Sequence, residues 1–178
     1  MRVIAGRWKG RRLKAPTWEG LRPTSDKLRE TLFNILAPRV EGARVVDGFA
    51  GTGAVGIEAL SRGAAHVTFV ENDRRAAALT AANVSACGAA ADYTIETGDV
   101  ATVLRQQATA FDVIWLDPPY GHESYDALEA AAGALAPGGL VVLERATRRE
   151  PAVPASLTRI RDVKSGDSTL TFFTRADS

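Results

Sequence analysis

Short apolar runs alternate along the chain with longer segments in which apolar residues recur every three or four positions. The runs predict buried strands at residues 44–47, 66–70, 93–96, 113–116 and 140–144. The longer segments predict helices at residues 54–62, 74–86, 100–107 and 125–135. Strands and helices that alternate in this way are typical of an α/β fold with a mostly parallel, doubly wound sheet and right-handed crossovers.

The two ends of the chain depart from this alternation. Residues 2–5 and 11–14 predict short paired strands, and a helix over residues 26–36 is expected to be capped by Ser25 or Thr24 and ended by Pro38. Pro137, Gly138 and Gly139 predict a turn. Alternating runs at 157–163 and 169–174 predict a closing antiparallel hairpin at one edge of the sheet.

Composition restricts the class of protein. The chain has 178 residues, of which 46% are hydrophobic and 24% charged, as expected for one globular domain with a small extension. It has no long apolar run and no signal-peptide pattern, so we expect a cytoplasmic protein without a membrane anchor. The single cysteine, Cys87, excludes an internal disulfide and is expected to be buried. With His66 and His122 as the only histidines, we expect no metal site.

Charge is distributed unevenly along the chain. Residues 1–44 hold 11 Lys and Arg against four acids, whereas the remainder holds 11 bases and 17 acids. The bases at the N-terminus are interleaved with Val3, Ile4, Trp8 and Leu13, which favours an ordered basic hairpin over a solvated tail. A basic arm on a mildly acidic body indicates contact with a phosphate backbone.

A glycine-rich loop joins the first strand of the alternating region to its helix. Gly51, Gly53 and Gly56 fit the dinucleotide-binding fingerprint, and Glu71 follows 20 residues after Gly51, where an acid can bind a ribose diol. Asp47 lies at the strand tip, where a carboxylate repels a pyrophosphate but attracts an ammonium group. This favours S-adenosylmethionine, whose amino-acid end carries an ammonium, over a nicotinamide cofactor.

Two further acids follow predicted strands. Asp99 can accept a hydrogen bond from an adenine amino group, and the alternative interpretation of this residue is an N-cap of the next helix. Asp117-Pro118-Pro119-Tyr120 ends the apolar run 113–116. The prolines stiffen this turn, so the Asp117 carboxylate and the Pro118 carbonyl form an acceptor pair beside a flat ring. Such a site suits a planar base that carries an exocyclic amine.

The chain resembles class I S-adenosylmethionine-dependent methyltransferases, and within them the bacterial small-subunit (16S) ribosomal RNA guanine-N2 methyltransferase family. The resemblance covers nearly the whole chain and is carried by residues 2–6 with 10–11, and by residues 21–26, 29–34, 49–53, 58–63 and 117–120. Residues 22–34 are its family-specific part, since adenine-N6 DNA methyltransferases share the Asp-Pro-Pro-Tyr motif. Gly48 departs from the family, in which a bulkier apolar residue is expected.

The resemblance implies a Rossmann-like, seven-stranded sheet and a monomeric enzyme that methylates one guanine of 16S ribosomal RNA in a 30S subunit or an assembly intermediate. It divides the chain into a basic RNA-binding hairpin (residues 1–20) and a methyltransferase domain (residues 21–178). The catalytic residues it implies are Asp117, Pro118, Pro119 and Tyr120. Cofactor contacts are expected from Asp47, Gly48, Phe49, Gly51, Gly53, Glu71, Asn72, Asp99, Val100 and Asp117. RNA contacts are expected from Arg7, Lys9, Arg11, Arg12 and Arg22.

Three other functions compete with this one. An amino methyltransferase acting on adenine in DNA, or on a glutamine amide, shares the acceptor motif but does not account for residues 22–34. A non-catalytic RNA-binding assembly factor would keep the fold without needing Asp117 and Tyr120. A dehydrogenase would leave the motif at 117–120 without a role.

Overall fold

The computed structural model describes residues 1–177 and contains one mixed sheet covered by helices on both faces. The helices are α1 (Asp26–Val40), α2 (Ala54–Ser61), α3 (Arg74–Ala86), α4 (Val100–Arg105) and α5 (Tyr125–Ala134). The strands are β1 (Arg44–Gly48), β2 (His66–Glu71), β3 (Tyr93–Thr97), β4 (Phe111–Leu116), β5 (Leu135–Ala146), β6 (Leu157–Ser165) and β7 (Ser168–Arg175).

The seven strands are ordered β3-β2-β1-β4-β5-β7-β6. The first five are parallel, and β7 pairs antiparallel with both β5 and β6. The chain order reverses between β1 and β4, so the carboxyl ends of these strands flank the crevice in which open α/β sheets bind ligands. The predicted doubly wound sheet with a C-terminal antiparallel hairpin is confirmed.

Successive residues of the central strands face opposite cores. Val45 and Val113 lie in the core beneath α1, α2 and α3, whereas Val46 and Ile114 lie in the core beneath α4 and α5. All four are no more than 3% exposed. Strands buried on both faces account for the continuous apolar runs in the sequence.

Three local predictions were wrong. Helix α1 continues through Pro38 to Val40 instead of ending at residue 36. The predicted turn at residues 137–139 lies inside β5, as an irregularity where the pairing with β4 steps from Phe111–Leu135 to Val113–Leu140. The two N-terminal segments pair through one antiparallel bridge, between Arg2 and Arg12, and through backbone hydrogen bonds from Val3 to the Arg11 carbonyl and from Leu13 to the Met1 carbonyl, without forming two regular strands.

Buried polar contacts attach the N-terminal segment to α2. The Glu58 carboxylate accepts from the backbone N–H of Ile4 at 2.8 Å and of Ala5 at 3.0 Å. Ser61 accepts from the Trp8 N–H at 3.0 Å and donates to the Ala5 carbonyl at 2.6 Å. Because Val3, Trp8 and Leu13 are also buried in the main core, the hairpin packs as part of one hydrophobic unit with the sheet and helices.

In the part of the chain that the structure covers, residues 1–177, no helix combines the length and the apolar character needed to span a bilayer. Cys87 caps the C-terminus of α3 and is 2% exposed, which agrees with its predicted burial.

Candidate active site

A cavity of about 1240 Å³ lies at the carboxyl ends of the parallel strands. Its floor comes from β1, β2, β4 and β5 and from the loops that follow β1, β2, β3 and β4. Residues 18–25, which precede α1, form one of its walls, and we call this segment the strap. Of the predicted cofactor and catalytic residues, the ones that line the cavity are Asp47, Phe49, Gly51, Glu71, Asn72, Asp99, Val100, Asp117, Pro118, Pro119 and Tyr120.

Asp47 is the most deeply buried acid of the cavity. It is 1% exposed, and its Oδ2 accepts from the Gly56 N–H in the first turn of α2 at 2.9 Å. Burial raises the pKa of Asp47 to about 8; the Gly56 hydrogen bond opposes this shift and the nearby charge of Glu71 adds to it. A desolvated carboxylate that lines a cavity is stabilised by a cation placed against it, so Asp47 fits an ammonium group.

The loop after β1 is held in left-handed backbone conformations. Gly51 and Gly53 have φ values of 61° and 80°, and Gly53 is the N-cap of α2. Phe49 is the one non-glycine residue among residues 1–177 with a positive φ, at 61°. Such a conformation costs about 1–3 kcal/mol in a non-glycine residue and occurs mostly at functional sites. The Phe49 ring lies edge-on to His122, with ring centroids 5.3 Å apart.

Gly48 and Gly53 do not line the cavity, although both were predicted to contact the cofactor. A Cβ at Gly48 would lie 2.8 Å from Leu116 Cδ2 and 2.9 Å from the Trp115 carbonyl oxygen. In this chain, Gly48 therefore allows β1 and β4 to approach closely. A Cβ at Gly53 would lie 2.9 Å from the Thr80 side chain, so that glycine allows α3 to pack against the loop.

Glu71 and Asp99 each bind backbone as well as facing the cavity. The Glu71 oxygens accept from the Gly51 N–H at 2.9 Å and the Asp73 N–H at 2.8 Å, which ties the glycine loop to the end of β2. Asp99 is the N-cap of α4 and accepts from the Thr102 N–H at 3.0 Å. The cap interpretation of Asp99 is thus correct, and it is compatible with the cavity position because a carboxylate accepts several hydrogen bonds.

The motif at residues 117–120 forms the opposite side of the cavity. Asp117 is half-buried, and its Oδ2 accepts from the Thr24 hydroxyl of the strap at 3.3 Å. Burial and the neighbouring carboxyl of Glu144 raise the pKa of Asp117 well above its ordinary value. Tyr120 is 60% exposed. The Arg22 guanidinium lies over its ring, 4.2 Å from the centroid, and donates to its hydroxyl.

The predicted RNA contacts separate into two groups. Arg22 lies in the cavity wall, whereas Arg7, Lys9, Arg11 and Arg12 are exposed on the N-terminal hairpin outside it. Arg7 pairs with Asp92 at 3.0 Å, and Arg11 donates to the Ala86 carbonyl at 3.1 Å.

Sequence reasoning missed two contributors to the site. In the strap, only Arg22 was predicted to contact a ligand, but Trp18 packs against the Arg75 guanidinium at 4.8 Å and Thr24 binds Asp117. Glu144 ends the apolar run 140–143, so the reasoning that singled out the acids at the ends of the other strands would also have found it.

The sheet order and a ligand cavity at the carboxyl ends of the parallel strands define a class I methyltransferase fold. The chain belongs to the family described as Conserved hypothetical protein 95, whose profile matches residues 1–174. This membership, with the methyltransferases described next, confirms the predicted resemblance.

Several of its relatives and structural neighbours are named as methyltransferases. It is 37% identical over 171 residues to ribosomal RNA small subunit methyltransferase D of Escherichia coli K12, covering 93% of this chain and 85% of that protein. It is 41% identical over 131 residues to the putative rRNA methyltransferase YlbH of Bacillus subtilis, covering 72% and 71%. The structure of the putative methyltransferase yhhF from Escherichia coli superposes with a TM-score of 0.87, at 31% identity over 100% of this chain and 99% of that one.

Proposed function

We propose that the protein transfers a methyl group from S-adenosylmethionine to the exocyclic N2 of a guanine in 16S ribosomal RNA, acting in the cytoplasm as a monomer on a 30S subunit or an assembly intermediate. One observation carries the proposal: the buried acid Asp47 and the acceptor motif at 117–120 line the same cavity. The relatives from Escherichia coli and Haemophilus influenzae are named as small-subunit ribosomal RNA methyltransferases, and these names support the choice of substrate.

The cofactor half of the proposal depends on three acids at successive strand ends. Asp47 meets the ammonium of the amino-acid end, Glu71 the ribose diol, and Asp99 the adenine amino group. The glycine loop at Gly51 lets the backbone approach the ligand closely. When bound, S-adenosylmethionine supplies an electrophilic methyl group on a positively charged sulfur.

The acceptor half depends on Asp117, Pro118 and Tyr120. The exocyclic amine of guanine is a poor nucleophile because its lone pair is delocalised into the ring. When the amine donates hydrogen bonds to Asp117 and to the Pro118 carbonyl, its lone pair is localised on the nitrogen and oriented for in-line attack. This can lower the barrier by several kcal/mol. Arg22 covers one face of the Tyr120 ring, so the base stacks on the other face. The guanine must be unpaired or flipped out to reach it.

The exposed bases of the N-terminal hairpin are proposed to bind the RNA backbone. Arg7, Lys9, Arg11 and Arg12 are carried on residues 1–20, which Glu58 and Ser61 fix to the methyltransferase domain of residues 21–178. A basic surface held rigidly beside the cavity would position the substrate strand without reading its sequence.

The test is methyl transfer from labelled S-adenosylmethionine to naked ribosomal RNA, 30S particles and DNA, all from cells that lack the enzyme. Nucleoside digestion identifies the product, and we expect N2-methylguanosine from RNA or particles. Asp117→Ala should abolish it, whereas Asp126→Ala, at an exposed acid on α5, should not. N6-methyladenine from DNA would instead establish the alternative acceptor. No product from any acceptor, with cofactor binding intact, would overturn the proposal and favour a binding role.

A further inference from the structure

Glu144 is a buried acid beside the acceptor motif to which nothing above gives a catalytic role. It lies near the end of β5 and is 9% exposed. Because Leu116 pairs with Leu143 in the parallel register of β4 and β5, Asp117 and Glu144 occupy neighbouring positions on adjacent strands. Both side chains line the cavity, so their carboxyl groups face the same space.

The remaining contacts of this pair come from hydroxyl groups. Ser168 of β7 donates to Glu144 Oε1 at 3.0 Å, and Thr24 donates to Asp117 Oδ2 at 3.3 Å. Arg145 also lines the cavity, but its guanidinium lies 3.4 Å from both Asp162 and Glu150. The other titratable groups around the cavity are Glu19, Arg22, Asp47, Glu71, Asp73, Arg75, Asp99, Tyr120 and His122.

A hydrogen bond between two carboxyl groups requires a proton, since two carboxylates have only acceptors. Two adjacent carboxyls in a partly desolvated site do not both ionise, because the second negative charge is opposed by the first. In agreement with this, burial and then the neighbouring Glu144 carboxyl raise the pKa of Asp117, and the charge of Asp47 adds to the effect.

We propose that Glu144 is a positioning residue that shares one proton with Asp117, so that Asp117 presents a neutral acceptor oxygen to the substrate amine and does not act as the base. This inference deepens the function proposed above and rests on it for the identity of the amine. As the nitrogen–carbon bond forms, the carbon–sulfur bond breaks and its electron pair goes to sulfur. The proton lost from the methylated nitrogen passes to water in the cavity, and the carboxyl pair keeps its own proton.

A titration of the protein without any ligand tests the shared proton directly. The probe is the ¹³C chemical shift of the Asp117 carboxyl carbon, assigned with Asp117→Asn and followed over about pH 4 to 10. We expect a midpoint above the ordinary range in the native protein. In Glu144→Gln it should fall by at least about one pH unit, because an amide favours the ionised neighbour. The matched control Glu129→Gln, at an exposed acid on α5, should leave it unchanged. An ordinary midpoint in the native protein, or no fall in Glu144→Gln, would overturn the inference.

Kinetics give a second, independent result. Asp117→Asn should retain turnover within about tenfold of the native enzyme, since a neutral amide also presents an acceptor oxygen, whereas Asp117→Ala should lose about 100-fold or more. Glu144→Gln should lower kcat with little change in KM for the cofactor and should alter the pH profile. Equal losses in Asp117→Asn and Asp117→Ala would contradict the inference. If no acceptor is methylated, the function fails while the titration still decides the pairing of the two carboxyls.

Discussion

Nη1 of Arg29 donates to Oε1 of Glu58 over 3.2 Å, and neither side chain is exposed to solvent. The same carboxylate accepts from Ile4, Ala5 and Arg62. One buried acid therefore joins the N-terminal hairpin, α1 and α2. Because these elements frame the strap, we regard the Arg29–Glu58 pair as the structural base of the cavity wall.

Removal of the Glu58 carboxylate should destabilise the whole protein. Glu58→Ala leaves the buried Arg29 guanidinium with only the exposed Asp26 carboxylate and the Arg2 carbonyl as partners. Loss of one member of a buried ion pair typically costs about 3–5 kcal/mol of unfolding free energy. Urea unfolding measures the loss, and Glu30→Ala, at an exposed acid on α1, should change it by less than about 0.5 kcal/mol. A loss below about 1 kcal/mol in Glu58→Ala would show that the buried pair does not hold the hairpin.

The raised pKa of Asp47 gives stability a definite pH dependence. The folded value of about 8 lies above the ordinary value of 3.8, so the folded protein binds more protons than the unfolded chain between these limits. The contribution of Asp47 is therefore complete below pH 3.8 and is lost as pH rises towards about 8. Asp47→Asn should remove this pH-dependent loss of stability. The free energy of unfolding of the variant, relative to that of the native protein, should therefore increase from pH 5 to pH 8.

Urea unfolding of the ligand-free native protein and of Asp47→Asn at several pH values measures that difference. The slope for one group is at most about 1.4 kcal/mol per pH unit. A difference that stays constant between pH 5 and pH 8 would show that Asp47 is already ionised in the folded protein. Asp112→Asn, outside the cavity lining, is a comparison variant that carries the same chemical change.

The close approach of β1 and β4 at Gly48 predicts a steric penalty for any side chain there. Gly48→Ala should cost about 1–3 kcal/mol, because its Cβ would be forced against Leu116 and the Trp115 carbonyl. In contrast, a Cβ at Gly133 on α5 meets no atom within 4 Å, so Gly133→Ala should be neutral or stabilising by about 0.5–1 kcal/mol. Thermal unfolding distinguishes the two, and equal effects would contradict the proposed packing role.

If the substrate base stacks on Tyr120, the loss of activity on substitution should depend on the ring and not on its hydroxyl. Tyr120→Ala should lower kcat/KM by a factor that corresponds to about 1–3 kcal/mol, whereas Tyr120→Phe should retain most activity. Tyr125→Ala is the matched control, since Tyr125 is 40% exposed at the start of α5. Equal losses in Tyr120→Phe and Tyr120→Ala would assign the effect to the hydroxyl and to its contact with Arg22.

Salt dependence of RNA binding tests the basic hairpin. Lys9→Ala and Arg12→Ala should each weaken binding and reduce the slope of log K against log salt by about 1, as for loss of one phosphate contact. Arg39→Ala is the control, because Arg39 donates to the Gly138 carbonyl near the start of β5, away from the carboxyl ends of the strands. Unchanged slopes for Lys9→Ala and Arg12→Ala would exclude the hairpin from the RNA interface.

Local sequence signals were sufficient for most of the fold. Apolar runs and helical spacing located all seven strands, or their cores, within the sheet, and helix α3 had its predicted limits. The errors occurred where tertiary packing opposed a local preference. Pro38 lies near the end of α1, where Leu36 and Val40 are buried on either side of it, and residues 137–139 continue β5 through an irregular pairing with β4.

The sequence by itself determined that acids follow successive strands. The carboxyl ends of parallel strands meet at one edge of a sheet, whatever the order of the strands. The sequence therefore placed Asp47, Glu71, Asp99 and Asp117 around one cavity. Only the tertiary structure decided which groups touch across that cavity: Arg22 on Tyr120, Thr24 on Asp117, and Glu144 beside Asp117. These contacts join residues 27 to 98 positions apart in the chain, and their spacing carries no periodic signal. They arise from strand order and from the path of the strap, which depend on packing of the whole chain.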